Sequence, residues 1–406
     1  MKIVVIGAGP AGVSVVETLR RYDTSSEVVM LSSEPYPPYS PPAMVDHFLH
    51  DSRAHLWRGT DWPARLGVDY RAGVVVTGID PEGHRVILQD GTALGYDRLV
   101  IATGSRLYAP LEGIDLPGIY NFKSLSAAEE LVGHVRAGEA KSALVVGAGF
   151  IGMEIALLLR ELGVTVTQIE MTDQVMPRML DHDTAAVALG LMQERGVDVR
   201  LNTKAEAFIG NGRASGVGLE SGEVLEADIL IAATGVKPNL DLLAGSGIAH
   251  QWGITVDDHL RTNAPDIYAA GDAVEAPDRM TGRSFVHAIF PNAVAQGEVV
   301  GLNLAGYDVP YEGADSMNSL KHLGLPIMAV GIKEGDEVLQ SRGPHWLRTI
   351  YLQDSRIAGF QLVEDISAAG ILRSLMIQRA DVSRIKHKLL EPDFGMGVVV
   401  WEALAP

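Results

Sequence analysis

The sequence predicts an α/β fold, with two Rossmann-like units of three-layer ββα type followed by a C-terminal α+β domain. Three observations carry this. Gly7-Ala8-Gly9-Pro10-Ala11-Gly12 follows the apolar run Ile3-Val4-Val5-Ile6, and Gly147-Ala148-Gly149-Phe150-Ile151-Gly152 follows Leu144-Val145-Val146. Each glycine segment leads into a helix-compatible stretch. Each unit then ends in an apolar strand closing on Ala-Thr-Gly, at Ala102-Thr103-Gly104 and at Ala233-Thr234-Gly235. One G-x-G-x-x-G segment is a weak signal; two, each between a strand and a helix inside a duplicated unit, argue strongly against coincidence.

Bulk properties narrow the possibilities. A chain of 406 residues has room for two or three domains. With 51 acidic against 33 basic residues the net charge is -18, which excludes the broad basic surface of a nonspecific nucleic-acid binder. No apolar run approaches the ~18 residues of a membrane span, and the first strand is entered by Ile3, so a cytoplasmic protein is expected. The cysteine count is zero. That removes disulfides, thiolate metal sites, cysteine-held iron–sulfur clusters and dithiol redox chemistry from this chain.

In the first unit, residues 2–22 read as strand, glycine turn and helix, and Val28–Leu31 as the second strand. The first glycine permits the tight turn, the second lets the backbone approach a pyrophosphate, and the third lets helix pack on strand. Helix N–H groups then face the phosphates. Glu34, past the second strand, is expected to accept hydrogen bonds from ribose hydroxyls. Five prolines between Pro35 and Pro42 make a stiff loop that cannot be a helix interior or central strand. Residues 72–101 read as short strands with turns at Glu82-Gly83 and Asp90-Gly91, and a helix is expected near 124–137.

The second unit has its second strand at Val164–Glu170. A carboxylate at Glu170 binds a free ribose 2′-OH and repels a 2′-phosphate. Met171 and Thr172 bring no guanidinium, and Arg178 is the nearest arginine downstream, so NAD is preferred to NADP. Further on, Asp272 after Gly271 is placed to accept from a cofactor hydroxyl. Phe290-Pro291-Asn292 predicts a helix start whose positive end faces whatever precedes it. The tail from about 311 predicts a hairpin of Trp346–Leu352 and Arg356–Val363 turning at Asp354-Ser355, then a helix over 366–378.

His47, His50 and His55 have no carboxylate set around them in sequence, and no metal site is expected. No nucleophile elbow is present. Arg373, Arg379, Arg384, Lys386 and Lys388 form a basic stretch in an acidic chain. It reads either as a solvated helix face or as a docking patch for an acidic electron carrier.

These motifs resemble the FAD-dependent pyridine nucleotide-disulfide oxidoreductase superfamily along nearly the whole chain. Within it the chain is most similar to NADH-dependent rubredoxin reductases, the FAD/NAD portion of nitrite reductases, and flavoprotein subunits linking iron–sulfur enzymes to NAD. Met317-Asn318-Ser319 and Gly359-Phe360-Gln361 add to that likeness. The resemblance implies that Gly7, Gly9, Pro10, Ala11, Gly12, Glu34, Val76, Ala102, Thr103, Gly104, Arg106, Gly271, Asp272 and Pro291 hold FAD. It assigns Gly147, Gly149, Phe150, Ile151, Gly152, Glu170, Thr234 and Gly235 to NAD(H), and Glu154 to a catalytic position near nicotinamide and flavin. It also implies an FAD domain at 1–110 and 240–310, an NAD domain at 111–239 and a C-terminal α+β interface domain at 311–406.

Two departures from the superfamily stand out. Disulfide-type members carry a redox cysteine near the proline-rich loop, where this chain has Ser40-Pro41-Pro42-Ala43-Met44. Oxygenase-type ferredoxin reductases place a lysine just after the double proline, where Val45 and its neighbours stand here. The expected function is electron transfer between NAD(H) and an external iron–sulfur protein or subunit through the flavin. The chain would act as a homodimer or within a hetero-oligomeric complex. The alternatives are an NADH oxidase or diaphorase, and, in another class, an NADH-sensing binding protein with structural FAD.

Overall fold

The computed structural model describes residues 1–52, 58–320, 324, 326–344 and 346–399. The chain divides into two compact units. One comprises Met1–Ala109, Asn121–Gly133 and Gly235–Asp315; the other comprises Pro110–Tyr120, His134–Thr234 and Ser316–Pro406. The helices are α1 (Pro10–Tyr22), α2 (Met44–His50), α3 (Trp62–Arg65), α4 (Leu125–Arg136), α5 (Phe150–Glu161), α6 (His182–Glu194), α7 (Phe290–Leu304) and α8 (Ala369–Ile377).

The first unit is built on a five-stranded parallel sheet in the order Ile267–Ala269, Arg98–Ile101, Lys2–Ile6, Glu27–Leu31, Val68–Arg71. Its central strands are β-branched runs with both faces covered, and Ile3, Val4, Val5, Val29 and Val100 are fully buried. A three-stranded antiparallel layer (Val76–Asp80, Arg85–Leu88, Ala93–Gly95) turns at the two predicted turn pairs. On the sheet, α1 and α7 pack against each other without spacer side chains. A Cβ at Gly297 would overlap the Ala11 carbonyl, and one at Gly301 would lie 2.7 Å from Thr18 Cβ and from the Val15 carbonyl. Ser14 Oγ donates to the Val294 carbonyl at 2.8 Å across that contact.

The second unit repeats the plan. Its parallel sheet runs Val197–Arg200, Thr165–Ile169, Ser142–Val146, Ile229–Ala232, Ile119–Tyr120, with an antiparallel layer of Ala205–Gly210, Ala214–Leu219 and Val224–Glu226. The fifth strand differs in origin. In the first unit it comes from Ile267–Ala269, far downstream of its glycine turn; in the second it comes from Ile119–Tyr120, upstream of its own.

The tail forms a five-stranded antiparallel sheet: Met317–Leu320, Ile327–Gly331, Arg356–Val363, Leu347–Gln353, Glu337–Arg342. The predicted hairpin is present. Asp354 and Ser355 have φ of 50° and 57°, the left-handed pair of a type I′ turn that matches strand twist. This sheet belongs to the same compact unit as the middle segment and is tied to it through Asp181. Tyr351 donates to Asp181 Oδ2 at 2.6 Å, and the Asp181 amide donates to Gln361 Oε1 at 3.1 Å. The same carboxylate caps α6 by accepting from the Thr184 amide at 2.7 Å.

Of the basic stretch only Arg373 lies on a helix, and Arg379 and Arg384 are exposed. α8 ends at Ile377, Arg379 has a φ of 49°, and residues 383–390 form turns. Lys386 pairs with Glu337 at 2.8 and 2.9 Å.

Candidate functional site

Each glycine fingerprint forms a cradle whose three glycines do different steric work. In the first, Gly7 has a φ of 110°, and a Cβ there would overlap the Ala102 carbonyl oxygen. A Cβ at Gly12 would overlap the Gly7 carbonyl oxygen, whereas Gly9 has nothing within 4 Å of a built Cβ. The second cradle repeats this. Gly147 (φ 107°) would meet the Ala233 carbonyl at 2.6 Å, Gly152 would overlap the Gly147 carbonyl, and Gly149 again faces open space. The first and third glycines therefore close the turn against its own Ala-Thr-Gly strand and helix. The middle glycine keeps the outside clear for a ligand's close approach.

The helices that follow are left open at their N-termini. Gly9 and Gly149 are the N-caps of α1 and α5 and supply no side-chain cap, in contrast to Asp181 on α6. Pro10 takes the first position of α1, where its missing N–H costs nothing. Orphan N–H groups with the positive end of a helix dipole make a ready anion site, so both cradles fit a dinucleotide pyrophosphate.

The two expected ribose carboxylates are not equivalents. Strand register pairs Ile6 with Leu31 and Val146 with Ile169, so Ser32, not Glu34, occupies the place of Glu170. Glu34 lies in the loop and is half-buried. Its Oε2 accepts from Tyr39 Oη at 2.5 Å, and its Oε1 from the Ser126 amide and hydroxyl at 3.2 and 3.1 Å. Burial, and then the Glu34 charge, push the Tyr39 phenol well above its usual range. The proline-rich loop is thus pinned by one of its tyrosines to the start of α4, where the Leu125 amide donates to Tyr39 Oη at 3.0 Å. Glu170 is buried. Its Oε2 accepts from the Ala148 amide at 2.9 Å, and its Oε1 from the Thr172 amide at 3.0 Å.

Asp272 follows Gly271, whose φ is 80° and whose amide donates to buried Gln296 on α7 at 2.7 Å. Asp272 Oδ2 accepts from Ser105 Oγ at 2.6 Å and from Lys123 Nζ at 3.0 Å. α7 starts at Phe290 with Pro291 in its first turn, as expected. Thr103 is clamped by Asn239, which accepts from the Thr103 hydroxyl and donates to its carbonyl, both at 2.9 Å. Arg106 makes a bidentate pair with Asp241 at 2.5 and 2.8 Å, which holds the Asp241 carboxyl below the usual range. Val76 heads the antiparallel layer and packs on the core of the first unit. On α5, Glu154 and Phe150 are half-buried and Ile151 is exposed; Thr234 and Gly235 follow the strand Ile229–Ala232.

Sequence reading missed Lys123, Ser105, Asn239, Gln296 and Gln168. Lys123 and Asp272 are 149 residues apart, and no local pattern joins them. His47 makes a hydrogen bond to the Ser52 carbonyl, and His55 lies outside the described residues. One grouping among the described residues has metal-ligand spacing, namely Asp257, Asp258 and His259. There, both ring nitrogens of His259 are already paired, to Asp258 at 2.6 Å and Asp308 at 3.0 Å. No helix among the described residues is long and apolar enough to cross a membrane.

A family model described as pyridine nucleotide-disulphide oxidoreductase matches residues 1–297, which span both cradles. The chain belongs to that family. It is an FAD-dependent NADH:acceptor oxidoreductase, with FAD and NAD(H) as its cofactors. Among relatives, it is 30% identical over 408 residues to the NADH-dependent phenylglyoxylate dehydrogenase subunit epsilon of Aromatoleum evansii, covering 98% of this chain and 96% of that one. It is 31% identical over 315 residues to the rubredoxin-NAD(+) reductase of Pseudomonas putida, covering 76% of this chain and 81% of that one. A solved structure, the covalent putidaredoxin reductase–putidaredoxin complex, superposes with a TM-score of 0.88 at 25% identity, covering 100% of this chain and 99% of that one. This family member has no cysteine, so the dithiol step of the family's name has no side chain to run on.

Proposed function

We propose that this chain carries electrons between NAD(H) and an external one-electron iron–sulfur protein or subunit, with FAD in the Gly7 cradle and NAD(H) in the Gly147 cradle. The observation that carries the reading is the repeated cradle, whose middle glycines Gly9 and Gly149 face open space, in a chain with no cysteine to act as internal acceptor. Similarity to a dehydrogenase subunit and to a rubredoxin reductase supports an external acceptor. Bound FAD supplies the exchange between two-electron and one-electron chemistry; the protein supplies position and electrostatics.

The residues divide that work. The amide groups at the start of α1 and α5 receive the two pyrophosphates. Asp272, aimed by Ser105 and Lys123, offers its second oxygen to a cofactor hydroxyl of FAD. Ala102, Thr103 and Gly104 form the floor of the first cradle and are held by Asn239. Glu34, Val76, Arg106, Gly271 and Pro291 complete the FAD surroundings. Glu170, with Phe150, Ile151, Thr234 and Gly235, would form the NAD(H) side, and Glu154 lies on α5, the helix that follows that cradle. The expected domains at 1–110 with 240–310, 111–239 and 311–406 assign the last segment to subunit contact.

The test is anaerobic mixing of FAD-loaded protein with NADH, followed by oxidised ferredoxin or rubredoxin. Flavin absorbance should bleach and then return as the acceptor is reduced. A flavin that never bleaches would remove the reading. Fast oxygen uptake without acceptor reduction would turn it toward an oxidase.

A further inference from the structure

We propose that Gln168 is a positioning residue that holds the second cradle in its binding shape while the cradle is empty, because it bonds the glycine turn from beneath where the first cradle has Met30. This rests on reading the Gly147 cradle as the NAD(H) site.

Strand register makes the comparison direct. Gln168 and Met30 both precede the residue opposite the last position of the first strand, and Glu170 and Ser32 both follow it. Gln168 is fully buried, and its Nε2 donates to the Gly147 carbonyl at 2.9 Å. Glu170 accepts from the Ala148 amide at 2.9 Å. The Ala148 carbonyl accepts from the Met176 amide at 2.9 Å. Consecutive groups of the turn are thereby tied to fixed partners before any ligand arrives.

The first cradle has no such side-chain ties among the described residues. Met30 offers no strong donor, and the Ser32 hydroxyl accepts from the Glu34 amide at 3.3 Å. Yet the Gly7 turn has the same steric pattern. The amide at 168 is therefore not needed to build such a turn. It also carries a penalty, since Gln168 Oε1 is buried and has no hydrogen-bond partner among the described residues. The ring of contacts fixes which way the amide faces, because only nitrogen can donate to the Gly147 carbonyl.

The difference suits the two ligands. A resident cofactor keeps its own cradle in shape through its phosphates. A ligand that enters and leaves at each turnover meets an empty cradle, and a turn already in place spares the ordering cost at binding.

The experiment compares FAD-loaded wild type with Gln168→Met, which copies the first cradle at similar volume, and Gln168→Asn, whose amide stops one methylene short. Affinity for NAD+ and amide hydrogen exchange in Ala148–Phe150 are measured, together with the limiting rate of flavin reduction by NADH. Both variants should raise the NAD+ Kd about fivefold, the loss of roughly one hydrogen bond. The turn should exchange faster without NAD+, and that difference should vanish at saturating NAD+. The limiting rate should hold while Kd moves. Unchanged Kd and exchange would overturn the proposal, and so would a lowered melting temperature and rate at unchanged Kd, the mark of a merely structural residue. A wild type whose turn NAD+ does not protect would instead defeat the NAD(H) reading of the cradle, and the proposal with it.

Discussion

Adding one methyl group at Gly149 should abolish tight NADH binding and leave the fold intact. The backbone there has φ -76° and ψ 179°, extended geometry that alanine adopts freely. A built Cβ meets no protein atom within 4 Å. Alanine at a helix N-cap costs about 0.5–1 kcal/mol relative to glycine, and the stiffer unfolded chain returns about 0.4–1 kcal/mol, so net stability should scarcely change. Binding is different. A phosphate oxygen accepting from a backbone N–H sits at about 2.9 Å, and a methyl group in its path holds it off by roughly 1 Å. Losing one charge-assisted bond of about 1.5–3 kcal/mol raises Kd between roughly tenfold and 150-fold. The control is Gly152→Ala, whose Cβ overlaps the Gly147 carbonyl and lies 3.2 Å from Ala233 Cβ. Overpacking of that kind costs about 1–3 kcal/mol, so this variant should melt earlier. The assay is anaerobic titration of FAD-loaded protein with NAD+, alongside thermal unfolding. Wild-type affinity in Gly149→Ala, or equal destabilisation of the two variants, would show that no pyrophosphate approaches this turn as argued.

Gly9→Val should yield protein that purifies without FAD; a fully yellow preparation would show the first cradle to be misassigned. Glu170→Arg should weaken NADH binding at least tenfold and improve NADPH, and steady-state kinetics with both nucleotides decides it. Reversing Arg384 should slow transfer to the acceptor while sparing flavin reduction. Lys386→Glu should instead lower stability by placing a second carboxylate against Glu337, and equal behaviour of the two would dissolve the distinction. Burial of His287 holds its imidazole below the ordinary value of 6.5, against the opposing pull of Asp278 and Asp315. Between 6.5 and that lower folded value the unfolded chain binds more protons, so stability falls as pH drops through this window, by at most about 1.4 kcal/mol per pH unit. Melting of His287→Gln should be less acid-sensitive between pH 7.5 and 5.5; identical slopes would clear His287 of any part.

Much of the architecture was legible because its signals are local. A β-branched run, a glycine spacing and a turn pair act within a few residues, so both cradles, the start of α7 and the Asp354-Ser355 hairpin could be read directly. The candidate site was only partly legible. Glu34 and Glu170 look alike in sequence, each an acid past a second strand. Pairing with the neighbouring strand shows them two positions out of register, one bonded to a tyrosine of the proline-rich loop and the other to the glycine turn itself. The pairing of Lys386 was hidden for a related reason, since its partner is an acid 49 residues upstream.

Residue order alone specified that two glycine cradles exist, where they lie, and that no thiol of this chain serves as acceptor, because glycine sterics and the absence of cysteine need no tertiary context. The tertiary structure alone decided which strand completes each sheet, which cation faces Asp272, and which buried amide supports the second turn. Those are contacts between segments far apart in the chain, and their energies come from register and burial, which no periodicity along the sequence encodes.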